Sequence, residues 1–298
     1  MLCRVRCPPG ATPLFPSNAN MLLPPERLFV IAGPCVIESL EQCLQIGAHV
    51  KRVCDALNMT YVFKASFDKA NRSSGASFRG PGMTDGLLVL DRVKNELGVP
   101  VLTDIHEPDQ AAVAAKVVDI LQIPAFLARQ TDLLHAAGRT GKAINVKKGQ
   151  FMSPAEMSNA VSKIREAQGL ANRAATAQAD SPAPSILLTE RGTFFGYNRL
   201  INDFTGLPLM KQTGCPVVFD ITHSTQQPAA QGTQSGGNPQ FSALLARAAV
   251  ATGCVSGLFM ECHPDPKNAR SDPATMLGLD EVQPLLQKCQ AIHQLNLK

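Results

Sequence analysis

The sequence predicts a (β/α)8 barrel, the TIM-barrel fold of the α/β class. Eight short apolar runs recur along the chain, and each is followed by an amphipathic segment with helical spacing. The chain has 298 residues, of which 45% are hydrophobic and 17% are charged, a composition typical of a folded globular protein. This length suits one large α/β domain, and the regular alternation favours a closed parallel sheet.

Each predicted strand is a run of four or five residues rich in Val, Ile, Leu or aromatic side chains. In chain order the predicted strands span 28–32, 61–64, 99–103, 118–122, 143–147, 186–190, 217–220 and 257–261.

The segments between these strands show helical periodicity. The clearest spans 40–57, where Ile46, Val50, Val53 and Leu57 recur at intervals of three or four residues. The other predicted helices span 85–97, 108–116, 131–137, 154–167, 198–213, 240–252 and 279–294. Ser153-Pro154 is a favourable helix start, because Ser can cap the first turn and Pro fits within it.

A doubly wound open sheet is the structural alternative. Such a sheet normally has a Gly-x-Gly-x-x-Gly turn after its first strand. Here the corresponding turn reads Ala32-Gly33-Pro34-Cys35, and the proline breaks the pattern. The barrel is therefore the preferred architecture.

The predicted domain organisation is simple. Residues 1–27 are Pro-rich and lack periodicity, so we expect a flexible N-terminal extension there. Residues 28–298 form a single catalytic barrel domain. Within it, residues 168–184 are rich in Ala, Ser, Pro and Gln and precede the sixth strand, which predicts a surface insert at the N-terminal face of the barrel.

Composition excludes several classes of function. The net charge of +4 is too small to indicate a nucleic-acid partner, although local basic residues could bind small phosphorylated ligands. No apolar run approaches the ~20 residues that a membrane span requires. The nine cysteines show neither a disulfide framework nor zinc-finger spacing, so we expect reduced thiols and a cytoplasmic protein.

Polar residues recur at the C-terminal ends of the predicted strands. In a barrel all these ends face one mouth, where barrel enzymes carry out their chemistry. The residues concerned are Cys35, Lys64, Asp104, Gln122, Asn145, Lys147, Glu190, Arg191, Asp220, His223 and Glu261. A random surface would not place its charges in phase with the strands.

One subset of these residues and their neighbours is cationic: Lys64, Lys69, Arg72, Lys147 and Arg191. Buried together without partners, these charges would repel each other at a cost of several kcal/mol. An anionic substrate with two phosphates, or with a phosphate and a carboxylate, would resolve the repulsion. The alternative for the loop over 64–74 is an ordinary solvated basic turn.

A second subset comprises Cys35, His223, Glu261 and Asp272. Thiolate, imidazole and carboxylate donors together suit a divalent transition metal with one position left for water or substrate. The four residues lie far apart in the sequence, and a buried structural cysteine is a common alternative.

From about residue 28 to residue 292 the chain resembles the 3-deoxy-D-manno-octulosonate 8-phosphate synthases. The first motif is 32–39, which contains Cys35, and the second is the loop 63–74, which contains Lys69-Ala70-Asn71-Arg72-Ser73-Ser74. The other matching segments are 103–107, 123–132, 145–151, 190–193, 220–224, 235–237 and 261–266. The motifs are numerous and occur in order along the chain.

The resemblance implies a transferase that condenses phosphoenolpyruvate with arabinose 5-phosphate for lipopolysaccharide biosynthesis. One alternative is a 3-deoxy-D-arabino-heptulosonate 7-phosphate synthase, which takes erythrose 4-phosphate and tends to carry Lys-Pro-Arg-Thr/Ser where this chain has Lys69-Ala70-Asn71-Arg72-Ser73-Ser74. Another alternative is a barrel that binds phosphosugars without catalysis. Cys35, where metal-independent members have Asn, implies the metal-dependent group.

The resemblance also implies roles for individual residues. Metal ligands would be Cys35, His223, Glu261 and Asp272, holding Mn, Fe, Zn or Co. Lys147 and Arg191 would bind the phosphate of phosphoenolpyruvate, and its carboxylate end would lie near Lys64, Ser66, Lys69 and Gln122. Asn71, Arg72 and Ser73 would face the sugar phosphate. Lys147, Asp104 and His223 are the predicted catalytic residues.

The implied assembly is a homo-oligomer, a tetramer in the family. Arg129 would reach the sugar phosphate of a neighbouring subunit, the alternative being a surface salt bridge of little value. Residues 224–237, rich in Gln and Gly, are a candidate lid over the mouth.

Overall fold

Eight parallel strands close into a barrel. The computed structural model describes residues 23, 27–70, 77–169, 185–194, 196–231 and 234–297. The barrel strands are β1 (Phe29–Gly33), β2 (Thr60–Lys64), β3 (Val101–Asp104), β4 (Ile120–Ile123), β5 (Ala143–Lys147), β6 (Ile186–Glu190), β7 (Val217–Asp220) and β10 (Gly257–His263). Each strand pairs with the next, and β1 pairs with β10 to close the ring. The predicted (β/α)8 barrel is confirmed.

Helices follow the strands on the outside of the barrel. They are α1 (Leu40–Ala56), α2 (Met83–Leu97), α3 (Pro108–Ala114), α4 (Thr131–Arg139), α5 (Met157–Ala167), α6 (Gly206–Lys211), α7 (Ser242–Ala251) and α8 (Leu279–Asn296). A short hairpin, β8 (Gln226–Gln231) and β9 (Gln234–Gly237), follows β7 at the mouth, and β11 (Leu277–Gly278) extends β10. The hairpin coincides with most of the candidate lid at 224–237.

Two helix predictions were wrong at their starts. The helix α5 begins at Met157, because residues 154–156 form turns in which Ser153 and Glu156 exchange hydrogen bonds. The helix α6 begins only at Gly206, whereas we predicted a start at 198. Asn198 has a left-handed φ of 55°, and Ile201 pairs with Thr193 as an isolated bridge, so this stretch folds back onto the loop that follows β6.

The barrel interior is apolar in its lower part. Its core comprises Leu23, Phe29, Ile31, Val62, Leu102, Ile120, Ala143, Leu187, Val218 and Phe259, and a larger core lies between the strands and the helices. Since side chains alternate along a strand, the residue two positions beyond each of those on the strands also faces inward. Thus Val62 is followed by Lys64, Val218 by Asp220 and Phe259 by Glu261. The polar side chains therefore form the next layer above the apolar interior, at the mouth of the barrel.

Other expectations concern thiols, membranes and the termini. The seven cysteines within the described ranges are free, and burial raises the pKa of Cys43, Cys54, Cys262 and Cys289 to about 12, as expected for reduced core thiols. Within those ranges no helix is long and apolar enough to cross a membrane. The predicted extension 1–27, apart from Leu23 and Arg27, lies outside the described residues, as does 170–184 of the predicted insert.

Candidate active site

The C-terminal ends of the barrel strands surround a cavity of roughly 430 Å³. Nine of the residues predicted for the site line it: Lys64, Lys69, Asp104, Gln122, Lys147, Arg191, His223, Glu261 and Asp272. Two more, Cys35 and Ser66, are buried directly beside them. Strand geometry therefore brings together residues that are up to about 240 positions apart in the chain.

Cys35, Glu261 and Asp272 form a cluster of donor atoms. Their ligand atoms all lie within 4.8 Å of one another, and the Cys35 thiol donates to Asp272 Oδ2 at 3.0 Å. Ser271 Oγ lies 2.8 Å from the same sulfur. Asp272 has a left-handed φ of 48°, a conformation that Asp tolerates and that often marks a functional position. A thiol and two carboxylates this close together could bind a divalent cation.

His223, the fourth predicted ligand, lies at the edge of this cluster. Its Nε2 is 3.6 Å from Glu261 Oε2, while its Nδ1 is 2.7 Å from Asp220 Oδ2. Because the Asp220 carboxylate can only accept a hydrogen bond, we assign the proton of the neutral imidazole to Nδ1, which leaves the lone pair of Nε2 on the side of Glu261. The structure thus groups three of the four residues tightly and places the fourth beside one of them.

Asp220 contacts both His223, at the edge of the Cys35–Glu261–Asp272 cluster, and the cationic side chain of Lys147. Its Oδ1 accepts from the backbone N–H groups of Thr222 and His223 and from the Thr222 hydroxyl, and its Oδ2 accepts from Lys147 and His223. Burial acts to raise the pKa of Asp220, but His223 and Lys147 hold it well below its usual range. Asp220 was noted at its strand end but assigned no role.

Lys64 and Lys147 each pair with a buried carboxylate, whereas we expected buried cations without partners. Lys64 donates to Glu261 Oε1 at 2.7 Å and to the Cys35 carbonyl at 3.0 Å, and Lys147 pairs with Asp220. The Lys147 ammonium also lies 3.6 Å from the centre of the Phe259 ring on the barrel floor. An uncompensated ammonium at this depth would cost several kcal/mol, so each cation has a carboxylate partner.

Four cavity-lining residues have a buried polar atom that lacks a hydrogen-bond partner among the described residues: Glu261 Oε2, Arg191 Nη1, Gln150 Oε1 and His106 Nδ1. The first two lie at the carboxylate cluster and at the proposed anion side. The other terminal nitrogen of Arg191 donates to Gln226 Oε1 at 2.6 Å. Burial lowers the pKa of Arg191, while Asp220 and Glu190 act in the opposite direction. One acceptor facing a cation site and one donor facing an anion site remain available for ligands.

Asp104 organises a second polar network. It accepts from Ser66 Oγ and Gln122 Nε2, and Gln122 Oε1 in turn accepts from Asn145 at 2.8 Å. Burial acts to raise the pKa of Asp104, but Lys64 and Lys69 outweigh it and bring the pKa below the usual range. The carboxylate is therefore ionised at neutral pH.

Other predicted residues are not brought to the cavity, or cannot be placed. Arg129 is exposed and does not line it; its carbonyl accepts from Lys163 at 3.0 Å. Asn71, Arg72 and Ser73 lie outside the described residues. Lys69, just before them, is half-buried and lines the cavity; burial acts to lower its pKa, but the acidic groups of Cys35 and Glu261 raise it above the usual range.

Sequence reasoning missed several residues that line the cavity. Gln150, Gln226, Arg270 and Ser271 received no role, and His106 was assigned only packing or support of neighbouring residues. Gln150 lies three residues after Lys147, and Ser271 directly precedes Asp272. Closeness in sequence to a predicted site residue could therefore have identified both. The same signal applied to Gln226, three residues after His223, and to Arg270, two residues before Asp272.

A closed barrel with buried cations and a thiol–carboxylate cluster at its mouth is typical of barrel enzymes that act on small anionic substrates. A sequence profile of the DAHP synthetase I family matches residues 24–296, and the chain belongs to that family. Among its relatives is the 2-dehydro-3-deoxyphosphooctonate aldolase of Cyanothece sp., 53% identical over 263 residues that cover 88% of this chain and 91% of the relative. Proteins of the same name from Dechloromonas aromatica and Variovorax paradoxus are each 50% identical, covering 88% and 92% of this chain and 89% and 93% of their own lengths.

Proposed function

We propose that this protein condenses phosphoenolpyruvate with D-arabinose 5-phosphate and water, giving 3-deoxy-D-manno-octulosonate 8-phosphate and inorganic phosphate for lipopolysaccharide core biosynthesis. The name of the relatives refers to the same eight-carbon product. The observation that carries the proposal is that one cavity brings two cations next to the Cys35–Glu261–Asp272 cluster. The cations are Lys147 and Arg191, whose Nη1 has no hydrogen-bond partner among the described residues.

The residues fit a divalent metal. Glu261 Oε2 is a buried acceptor with no donor among the described residues, and it faces His223 Nε2 across 3.6 Å. A cation between these atoms, Cys35 and Asp272 would satisfy both, and the mixed sulfur, nitrogen and oxygen set suits Mn, Fe, Zn or Co. Such an ion would supply Lewis-acid chemistry, by orienting the sugar aldehyde or by activating water.

The cationic side of the cavity binds phosphoenolpyruvate. Arg191 offers its free Nη1 to the phosphate, and Lys147 adds a second charge from the neighbouring strand β5. Lys64, Ser66, Lys69 and Gln122 lie toward the carboxylate end. Holding both ends of the substrate orients its methylene carbon for attack on the aldehyde of the sugar phosphate.

Charge develops during the reaction in a way that fixed cations can stabilise. When the methylene carbon bonds to the aldehyde carbon, the former enol-ether carbon becomes oxocarbenium-like and the aldehyde oxygen gains negative charge. Water then adds to the oxocarbenium-like carbon, and the proton it releases neutralises the former aldehyde oxygen. Phosphate leaves that carbon by carbon–oxygen cleavage, taking the proton of the new hydroxyl group, and a keto group remains. Asp104, ionised and held by Ser66 and Gln122, can accept a hydrogen bond from a sugar hydroxyl or a proton from water.

The sugar phosphate would lie toward the loop that follows Lys69, with Asn71, Arg72 and Ser73 as its ligands. We place Arg129 at the same phosphate in a neighbouring subunit of a homo-oligomer, because its exposed side chain does not reach its own cavity. Arg129→Ala should then raise the KM for the sugar phosphate and leave the KM for phosphoenolpyruvate unchanged.

The decisive experiment supplies the purified protein with phosphoenolpyruvate and either arabinose 5-phosphate or erythrose 4-phosphate and measures phosphate release. We expect turnover with arabinose 5-phosphate, loss of turnover after chelation, and recovery when single metals are added back. Turnover only with erythrose 4-phosphate would identify a heptulosonate synthase instead. Calorimetric binding of either sugar phosphate without turnover, even with metal present, would indicate a non-catalytic binding protein.

A further inference from the structure

Lys148 is a buried charge that the reaction above does not use. It follows Lys147 on the chain, so it faces away from the cavity, and its side chain is fully buried between the barrel and the outer layer. Glu190, at the end of β6, is 3% exposed and also faces outward, because it lies one residue before Arg191. The pair therefore lies directly behind the two cations proposed to bind phosphate.

The contacts of Lys148 join two loops at the mouth. Its Nζ donates to the Met152 carbonyl at 3.2 Å and to Thr193 Oγ1 at 3.0 Å, and it lies 3.5 Å from Glu190 Oε2. Met152 belongs to the loop after β5 and Thr193 to the loop after β6. A single ammonium thus ties both loops to the end of one strand.

Glu190 continues the linkage to the backbone of Arg191. Its Oε1 accepts from the N–H of Arg191 at 3.0 Å and from the N–H of Gly192 at 2.7 Å. Gly192 has a left-handed φ of 91°, and an added Cβ there would lie 2.8 Å from Leu200 Cβ, so this turn requires glycine. The carboxylate fixes the direction in which Arg191 leaves the strand.

The energetic argument favours a directional role over a stabilising one. Burying a charge pair costs desolvation that its mutual attraction often only offsets, and apolar side chains of equal size would hold the layers together at least as well. What apolar side chains cannot supply is a set of hydrogen bonds that fixes two loops and one backbone turn relative to each other.

We propose that Lys148 and Glu190 are positioning residues for the phosphate site, acting through the backbone of Arg191 and the loop that carries Gln150. The proposal rests on the proposed role of Arg191 in binding phosphoenolpyruvate. Neither residue touches substrate. Loss of the pair should weaken phosphate recognition more than it weakens sugar recognition.

The test compares Lys148→Met with Lys94→Met in the full chain. Lys94 is a matched control, since it donates to Asp119 Oδ1 at 2.7 Å and to the Val117 carbonyl at 3.2 Å, where Asp119 precedes β4 at the opposite end of the barrel. Calorimetry measures the Kd of phosphoenolpyruvate and of inorganic phosphate, and thermal unfolding measures Tm. We expect Lys148→Met to weaken both ligands about tenfold with the KM of the sugar phosphate within about twofold, and Lys94→Met to lower Tm only.

Thr193→Val removes one hydrogen bond of Lys148 and leaves every charged side chain in place. It is the second variant, to be measured if Lys148→Met fails to fold. It should weaken phosphoenolpyruvate about threefold. Should both foldable variants keep the ligand Kd within twofold of wild type while Tm falls as in Lys94→Met, the pair is only structural and the positioning role is wrong. A wild-type protein that binds neither ligand would instead overturn the proposed function, and the positioning role with it.

Discussion

Replacing Asp220 with Asn tests whether Asp220 orients His223 toward the proposed metal site while it pairs with Lys147 at the proposed phosphate site. Asn keeps the size of the side chain, and its oxygen can still accept from the backbone N–H groups of Thr222 and His223. Its amide nitrogen, however, would face Lys147 Nζ and His223 Nδ1, which are both donors now. His223 can only adapt by moving its proton to Nε2, the nitrogen that faces Glu261.

The magnitude follows from this change of tautomer. A histidine protonated at Nε2 cannot donate a lone pair there, and losing the carboxylate that orients a ligand histidine costs about 10- to 100-fold in metal affinity. That corresponds to about 1.4–2.7 kcal/mol. Lys147 also loses its buried counter-charge, and we expect the free energy of unfolding to fall by about 3–5 kcal/mol.

Competition with a chromophoric chelator measures the affinity for Zn²⁺ and Co²⁺, and urea unfolding of the metal-free protein measures stability. Asp119→Asn is the control, because Asp119 likewise accepts from a lysine and from a backbone N–H, that of Val101 at 2.9 Å. It should lose stability and keep its metal affinity. If Asp220→Asn binds both metals within twofold of wild type, Asp220 does not orient a metal ligand and the assignment of His223 is wrong.

Three further predictions follow from the same contacts. Cys35→Ala should lower bound metal, measured by elemental analysis, and abolish turnover; full activity that resists chelation would rule out the metal. Arg191→Lys should raise the KM for phosphoenolpyruvate about tenfold, because one ammonium replaces a fork that keeps Nη1 free, and an unchanged KM would remove Arg191 from the phosphate site. Asp104 has a pKa lowered below its usual value, so its contribution to stability is present above about pH 4 and is lost as pH falls further. Wild type should lose stability below that pH more steeply than Asp104→Asn in urea titrations, and equal slopes would contradict the cause assigned to the lowered pKa.

The sequence predicts those features of the site that depend on neighbouring residues, and it fails for those that depend on contacts between distant segments. The inward direction of Lys64, Lys147 and Glu261 follows from strand alternation, which is local, so their arrival at one mouth could be predicted. The start of α6 could not, because the bridge between Thr193 and Ile201 competes with helix formation there.

By itself, then, the sequence determined a parallel barrel and the polar side chains on the strand ends at its mouth, since periodicity and strand phase are properties of short segments. Only the tertiary structure decided which of those side chains are neutralised and which stay available. Glu261 reaches Lys64 and Asp220 reaches Lys147 across 197 and 73 positions of chain, leaving Arg191 Nη1 and Glu261 Oε2 without partners among the described residues. Charge pairing at such separations depends on where closure of the barrel places each strand, and no local pattern encodes it.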